Sequence, residues 1–209
     1  MIEALQEFEQ YMAHLSEGLG HADRHAGLRG YCTGLMSPLS RKSVEPMAAQ
    51  ADPLKVRSRH QSLHHFVADA NWSDEQMLLR VCHWVVPLLD FSDGGWWIID
   101  MDLKQDLGLG HYEGRGWRGF HHHASLSIAA YGFLLAQRLP HPDESGGKKT
   151  PHNARSLPCP RITNLGAAQR AQRHDPSSIT RLRMRIGSLL AQNLPRCRCC
   201  LRVRERLRC

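Results

Sequence analysis

Apolar residues recur every three or four positions along most of the chain, with polar residues between them, as in amphipathic helices. The first such stripe consists of Ile2, Leu5, Phe8, Met12, Leu15 and Leu19. The same spacing predicts further helices over residues 21–36, 43–50, around 63–67, 73–85, 117–139 and 179–190. The chain is therefore expected to be mainly helical.

Residues that start or stop helices mark the ends of several of these stretches. Ser73 with Gln76 three residues later is a capping box, which favours the start of a helix. Three of the stretches are followed by a proline, namely Pro38, Pro87 and Pro140. Proline disfavours the helical conformation in the residue before it. These positions limit the predicted helices independently of the apolar spacing.

The segment WWIID at residues 96–100 differs from the rest of the chain. It follows the turn signal Asp93-Gly94-Gly95, and four bulky residues without a polar partner fit a short buried strand. This strand would end at the carboxylate of Asp100. The predicted fold class is therefore mainly α with a single short strand.

Charge is distributed unevenly along the 209 residues. Residues 1–110 contain 9 Lys or Arg and 15 Asp or Glu, whereas residues 111–209 contain 18 and 5. A basic C-terminal half suits a polyanion such as nucleic acid, although a solvated basic tail is the alternative. Four of the seven Cys lie in the last 13 residues, so a secreted disulfide framework does not fit. No apolar run is long enough for a membrane-spanning helix.

Asp100 is the first candidate for catalytic chemistry. A carboxylate at the open end of a rigid buried strand is a common ligand for a divalent metal ion, and two-metal phosphoryl transfer needs several such groups close together. Asp102 would share a face with Asp100 if the strand continued. The alternative is that Asp100 only caps the following turn.

Four stretches resemble bacterial insertion-sequence transposases that have a DDE active site. Three resemble the N-terminal part of that family: SPLSRKSVEPMA (37–48), HQSLHHFVADANWSDEQ (60–76) and DFSDGGWWIID (90–100). The fourth, LKQDLGLGHYEGRGWRGFHHHASLSIAAYGFLLAQ (103–137), resembles the region of the C-terminal catalytic helix. The resemblance implies DNA cleavage and strand transfer at transposon ends by carboxylates and Mg²⁺ (or Mn²⁺) on an RNase H-like sheet.

The resemblance also implies that part of the family's catalytic core is missing. Asp100 corresponds to the first catalytic Asp and would be the metal ligand, but no residue corresponds to the second. Asp102 takes the place of the catalytic Glu, the Tyr and Arg of the family's Tyr-Arg-Glu-Lys signature are absent, and Leu109 occupies the Lys position. The chain is therefore expected to be an internally shortened transposase, a remnant of an α/β RNase H-like fold without two of the three catalytic carboxylates.

The predicted organisation has four parts. Residues 1–89 form a helical N-terminal region, and residues 90–139 hold the residual catalytic-core segments. Residues 140–176 are rich in Pro, Gly, Ser, Asn and His, which is typical of a disordered linker. Residues 177–209 combine a basic helix with a disordered tail rich in Arg and Cys.

Several side chains in the basic half are candidates for DNA contact. Clustered cations neutralise phosphates, and the arginines proposed for this role are Arg115, Arg118, Arg181, Arg183 and Arg185. Trp117 could stack on an unpaired base, but its place in the apolar stripe favours core packing. Three consecutive histidines, residues 121–123, lie about 100° apart around a helix and cannot all bind one metal ion. Packing and hydrogen bonding are the favoured role, and contact with DNA phosphate in the protonated form is the alternative.

Three functional hypotheses remain open from the sequence. The chain is a transposase remnant that retains DNA contacts but lacks catalysis, or a regulatory protein that binds transposon ends or pairs with itself or with intact transposase. The third is a pseudogene product that does not fold, because its two halves once packed on a sheet that is now absent. The expected setting is the bacterial cytoplasm in association with the nucleoid, without a membrane partner.

Overall fold

The computed structural model describes residues 2–89, 102–139 and 178–197. Helix makes up 77% of this part, which contains no strand. Its helices are α1 (Ile2–Ser16), α2 (Asp23–Met36), α3 (Val44–Ala51), α4 (Val56–His64), α5 (Asp74–Val85), α6 (Trp117–Arg138) and α7 (Ile179–Gln192). Short 3₁₀ or π-helical turns lie at Glu17–Leu19, His65–Asp69, Val86–Leu88, Asp102–Asp106 and Leu109–His111. The prediction of a mainly helical fold is confirmed.

Local sequence signals account for most helix ends. The Ser73 hydroxyl oxygen accepts a hydrogen bond from the Gln76 backbone N–H at 3.2 Å, as the capping box predicts. Helix α2 ends at Met36, immediately before Ser37 and Pro38. Ser43 precedes α3 in an extended conformation, but its side chain makes no capping hydrogen bond.

Aromatic side chains of α1 and α6 meet in the core. The rings of Phe8 and Phe133 meet edge to face with centroids 5.3 Å apart, and Tyr11 stacks on Phe133 at 5.5 Å. The buried Tyr11 hydroxyl donates to the Ala129 carbonyl oxygen over 2.9 Å. Burial of these aromatic side chains, together with a satisfied hydroxyl, fixes the first helix of the chain on α6.

Helix α6 buries a different face from the one that its apolar stripe predicts. The predicted stripe includes Ala124, Ile128, Tyr131 and Leu135, and these side chains are half-buried. The adjoining face, which is rich in small residues, is buried. A Cβ added at Gly132 would lie 2.9 Å from Val81 Cγ1, so α5 approaches the α6 backbone closely there. Close packing of helices through small residues decides which face of α6 is buried. The spacing of large apolar residues along the sequence therefore does not predict this face.

Helix α7 packs against the region where α2 ends. Ile179, Ile186 and Leu190 are buried in the common core. A Cβ added at Gly187 would lie 2.4 Å from the Met36 carbonyl oxygen, so this close approach of two backbones requires glycine. The basic helix is therefore part of the helical body.

Several predictions concern segments outside the described residues. These are the strand at 96–100, the linker at 140–176 and the tail after Cys197. The four-part division of the chain and its origin in an RNase H-like fold stay predictions. Among the helices of the described ranges, none is long and apolar enough to span a membrane.

Candidate nucleic-acid interface

The three histidines at the start of α6 contact three different parts of the molecule. His123 Nε2 lies 2.8 Å from the Gly108 carbonyl oxygen, and Nδ1 lies 2.8 Å from the Tyr31 hydroxyl. Because a carbonyl only accepts, Nε2 carries the proton in the neutral ring, and Nδ1 accepts from the tyrosine. Burial lowers the pKa of His123 and favours this neutral form.

His122 is also buried, and both of its ring nitrogens face backbone carbonyls. Nδ1 lies 3.0 Å from the Val67 oxygen and Nε2 lies 3.0 Å from the Trp72 oxygen. The Trp72 ring stacks on the imidazole with centroids 3.7 Å apart. Burial lowers the pKa of His122, while the two carbonyls act in the opposite direction. This histidine holds the segment between α4 and α5 on α6.

His121 lies at the surface end of the triplet. Its Nδ1 is 3.2 Å from Asp74 Oδ2 in the first turn of α5, and both side chains are about 40% exposed. The three histidines thus serve packing and hydrogen bonding, and each has separate partners.

A buried charged cluster joins α7 to the rest of the protein. It consists of Arg183, Asp106 and Lys42, together with the Ser37 carbonyl. Arg183 donates from one guanidinium nitrogen to Asp106 Oδ1 at 3.2 Å and from another to the Ser37 oxygen at 3.2 Å. Thr180 donates its hydroxyl to Asp106 Oδ2, and Lys42 Nζ donates to the same Ser37 oxygen. Arg183 and Lys42 therefore share the Ser37 carbonyl, and Arg183 also bonds to the Asp106 carboxylate.

The environment of Lys42 disfavours its charged form. Its side chain is only 1% exposed. Burial and, to a smaller extent, the neighbouring Arg183 lower the pKa of Lys42 from 10.5 to about 7, against the opposing effect of Asp106. A buried ammonium group beside a guanidinium group is costly unless a carboxylate compensates for it, so Asp106 has a structural role in this cluster.

The five candidate arginines fall into two groups. Arg115 and Arg118 are exposed at the start of α6, and Arg181 and Arg185 are exposed one turn apart on α7. Arg183 is 7% exposed, and its guanidinium group points into the charged cluster. The structure thus brings four of the arginines to the surface and places the fifth inside.

Trp117 does not pack in the core, and the prediction that it would do so was wrong. The side chain is 77% exposed at the first position of α6, and Phe120 one turn later is 42% exposed. The reason is the orientation of α6, which turns its small residues and His122 inward. The two large aromatic residues at this end remain at the surface.

The two catalytic candidates are only partly covered by the structure. Asp100 lies outside the described residues, and Asp102 is the first residue of the π-helical turn Asp102–Asp106. Within residues 2–89, 102–139 and 178–197, no group of three or more His, Cys, Asp or Glu side chains could hold a metal ion. The described residues therefore do not supply the ligand set of a two-metal site.

Sequence reasoning missed Lys42 and Tyr31 as buried polar residues. Lys42 stands in a polar stretch, SRKS, that reads as a surface turn. Tyr31 lies on a predicted helix, but nothing in its neighbourhood indicates His123 as its partner, 92 residues away. Tertiary packing alone identifies both residues.

Comparison with known proteins adds one finding to this geometry. A family model described as DDE superfamily endonuclease matches residues 14–101, from within α1 to the segment after α5. The match supports a DDE-type transposase or nuclease family. DDE superfamily endonucleases are generally dependent on a divalent metal ion and act on DNA. No curated protein and no solved structure matches the chain.

The DDE match and the stretch at 103–137 are in direct contact. The matched part contributes Tyr31, Val67 and Trp72, which contact His122 and His123 of α6. The stretch at 103–137 lies outside the matched residues, so its likeness to a catalytic-helix region stays a prediction.

Proposed function

We propose that this protein is an internally shortened DDE-type transposase that contacts DNA but does not cleave it. The observation that carries the proposal is the short distance in sequence between Asp100 and the helical core. The junction left by the internal shortening is predicted at Met101–Asp102. Leu103 and Leu107, directly after it, are buried in the same core as α2 and α6. The chain thus reaches α6 through residues 102–116, which contain two short helical turns, where the family would insert the rest of its catalytic sheet.

The family match supports DNA as the partner and a divalent metal ion as the family's cofactor, for which we propose Mg²⁺ or Mn²⁺. We propose Asp100 and Asp102 as what remains of the catalytic carboxylates, with Asp100 as the metal-ligand residue. Asp106, the next carboxylate along the chain, is bonded to Thr180 and Arg183. Because these bonds hold α7 in place, Asp106 cannot replace the missing second catalytic carboxylate.

We assign DNA-phosphate contact to the exposed arginines at 115, 118, 181 and 185. Arg183 was predicted to share this role, and we assign it instead to the charged cluster, because its guanidinium group is buried between Asp106 and Ser37. Exposed arginines, in a chain expected to lack the second catalytic carboxylate, suit a protein that occupies transposon ends. It also suits one that pairs with another copy or with intact transposase and thereby limits transposition.

The buried core supports a protein that folds, in preference to a pseudogene product that does not. Aromatic contacts between α1 and α6, such as Phe8 with Phe133, connect the beginning of the chain to the stretch beyond the predicted junction. We expect a single cooperative thermal transition. A gradual loss of helix on heating would favour the non-folding alternative.

Electrophoretic mobility shift over a salt series tests DNA contact. The full chain is expected to bind a duplex that carries its element's end sequence, with affinity that falls steeply as salt rises. Arg181→Ala/Arg185→Ala should reduce the slope of log affinity against log salt by about one for each lost contact. Arg57→Ala/Arg59→Ala on α4 is the matched control. Equal affinity for an unrelated duplex would contradict recognition of the ends.

A cleavage assay on the same duplex tests the absence of catalysis. No cleavage is expected with Mg²⁺ or with Mn²⁺, because the chain lacks the second catalytic carboxylate. Metal-dependent cleavage that Asp100→Ala abolishes would overturn this part of the proposal.

A further inference from the structure

Two large aromatic side chains lie exposed together at the start of α6. Trp117 is 77% exposed and Phe120 is 42% exposed, with ring centroids 6.2 Å apart. Single exposed apolar residues are common, but an adjoining tryptophan and phenylalanine on one helical turn form a patch that indicates a binding surface. The aromatic patch, defined here by Trp117 and Phe120, is therefore a candidate site.

The rings of the aromatic patch are supported from one side. The indole of Trp117 rests on the imidazole of His121 with centroids 4.5 Å apart, and His121 is bonded to Asp74. Phe120 meets the edge of Tyr112 at 6.1 Å. These contacts restrict the orientations of the two rings in advance of binding, which lowers the entropic cost of binding a ligand.

Two cations flank the aromatic patch. Arg115 and Arg118 are exposed on either side of Trp117, and neither makes an ion pair or a hydrogen bond within the part of the chain that the structure describes. The nearby carboxylates have other partners, since Asp74 contacts His121 and Glu113 pairs with Arg41. The patch therefore joins open aromatic faces to uncompensated positive charge.

We propose that the aromatic patch binds unpaired nucleotides of DNA. A base would stack on Trp117, with Phe120 beside it, and Arg115 and Arg118 would contact the adjoining phosphates. Aromatic rings on which bases stack, with cations beside them, are the features that bind single strands independently of sequence. In a duplex the faces of the bases are covered by their neighbours, so the patch should discriminate between the two forms. This inference rests on the proposed function, which supplies DNA as the partner.

Fluorescence anisotropy with a labelled oligothymidylate and a duplex of equal length tests the proposal. Trp117→Ala in the full chain should weaken single-strand binding about tenfold, as expected when one base loses its stacking partner. Trp117→Phe should restore part of the affinity, because a smaller ring still stacks. Leu54→Ala, which removes another exposed apolar side chain, should leave single-strand binding unchanged. None of the three variants should change the affinity for the duplex.

An oligonucleotide containing 2-aminopurine gives a readout specific for stacking. Its fluorescence should be quenched on binding to the native protein and should remain unquenched with Trp117→Ala at saturating protein. Equal weakening of single-strand and duplex binding by Trp117→Ala would overturn the stacking role.

The outcomes separate this inference from the proposed function. If the duplex binds and Trp117→Ala leaves single-strand affinity unchanged, the patch serves another partner, such as a protein, and only this inference fails. If the protein binds neither form of DNA, the proposed function fails as well. Because Trp117 is exposed, the melting temperature of each variant should equal that of the native protein, which excludes misfolding as the cause.

Discussion

The charged cluster and the start of α6 use arginine in opposite ways. In the cluster, Arg183 is buried and bonded to Asp106 and Ser37, beside a lysine whose pKa burial lowers to about 7. At the start of α6, Arg115 and Arg118 are exposed beside a tryptophan that is also exposed. Arginine thus fixes α7 in place in the cluster, and at the start of α6 it is available to a ligand.

The difference between the two regions depends on the position of one carboxylate. Asp106 lies next to Arg183, so desolvation of that guanidinium group is compensated by an ion pair and hydrogen bonds. The start of α6 has no such partner directed at its arginines among the described residues. A count of basic residues therefore does not predict a DNA-binding surface until each cation has been assigned to a carboxylate or to solvent.

Of the changes in these two regions, removal of the carboxylate of the cluster should have the largest effect on stability. Asp106→Asn keeps the shape of the side chain but leaves Arg183 and Lys42 buried without a counter-charge. We expect the free energy of unfolding to fall by about 3–5 kcal/mol. Urea denaturation followed by circular dichroism measures it.

The matched control is a surface ion pair of the same kind. Glu9 pairs with Arg29, and both side chains are about half exposed. Glu9→Gln should cost less than about 1 kcal/mol. Equal losses for the two variants would contradict a structural role for the buried cluster.

Lys42 should give the protein a specific pH dependence. Its pKa is about 7 in the folded protein and 10.5 when unfolded, so between these values the unfolded chain binds more protons. The free energy of unfolding should therefore rise as pH increases from 7 to 9, by at most about 1.4 kcal/mol per pH unit. Lys42→Met should remove this rise.

Urea denaturation at pH 7, 8 and 9 checks the prediction for Lys42. Cys32 limits the range, because burial raises its pKa from 9.0 to about 12 and lowers stability above pH 9. The same slope in the native protein and in Lys42→Met would show that another group is responsible.

The smallest effect on stability is expected at the start of α6. Trp117→Ala should change the free energy of unfolding by less than about 0.5 kcal/mol, because the ring is mostly in solvent. Phe133→Ala, an aromatic residue of the same helix that is 1% exposed, should cost about 3–5 kcal/mol. A large loss for Trp117→Ala in thermal or urea unfolding would mean that this ring serves the core.

Local signals made the helices predictable. The capping box at Ser73 and the break before Pro38 act within a few residues, and both mark the helix ends that the structure contains. The buried face of α6 was harder to predict, because its large apolar residues and its small residues both recur with helical spacing. The close approach at Gly132 decides between the two faces, and it depends on Val81 in another helix.

The candidate site was predictable only as a set of residue types. The sequence indicated cations at 115, 118, 181, 183 and 185, but not that Arg183 would find Asp106, 77 residues earlier in the chain. The same holds for Trp117, whose exposure follows from the orientation of the whole of α6. Burial and ion pairing at these positions are tertiary properties, and a stripe or a charge count does not contain them.

The span of 77 residues between Asp106 and Arg183 has a consequence for synthesis on the ribosome. At elongation rates of about 5–20 residues per second, Asp106 is made about 4 to 15 seconds before its partner. During that interval the Ser37 carbonyl, Lys42 and Asp106 are present without the guanidinium group that completes their bonding. Folding of the nascent chain should therefore pause in a state that lacks α7, and the last step of assembly is the insertion of a charged helix between groups already in place.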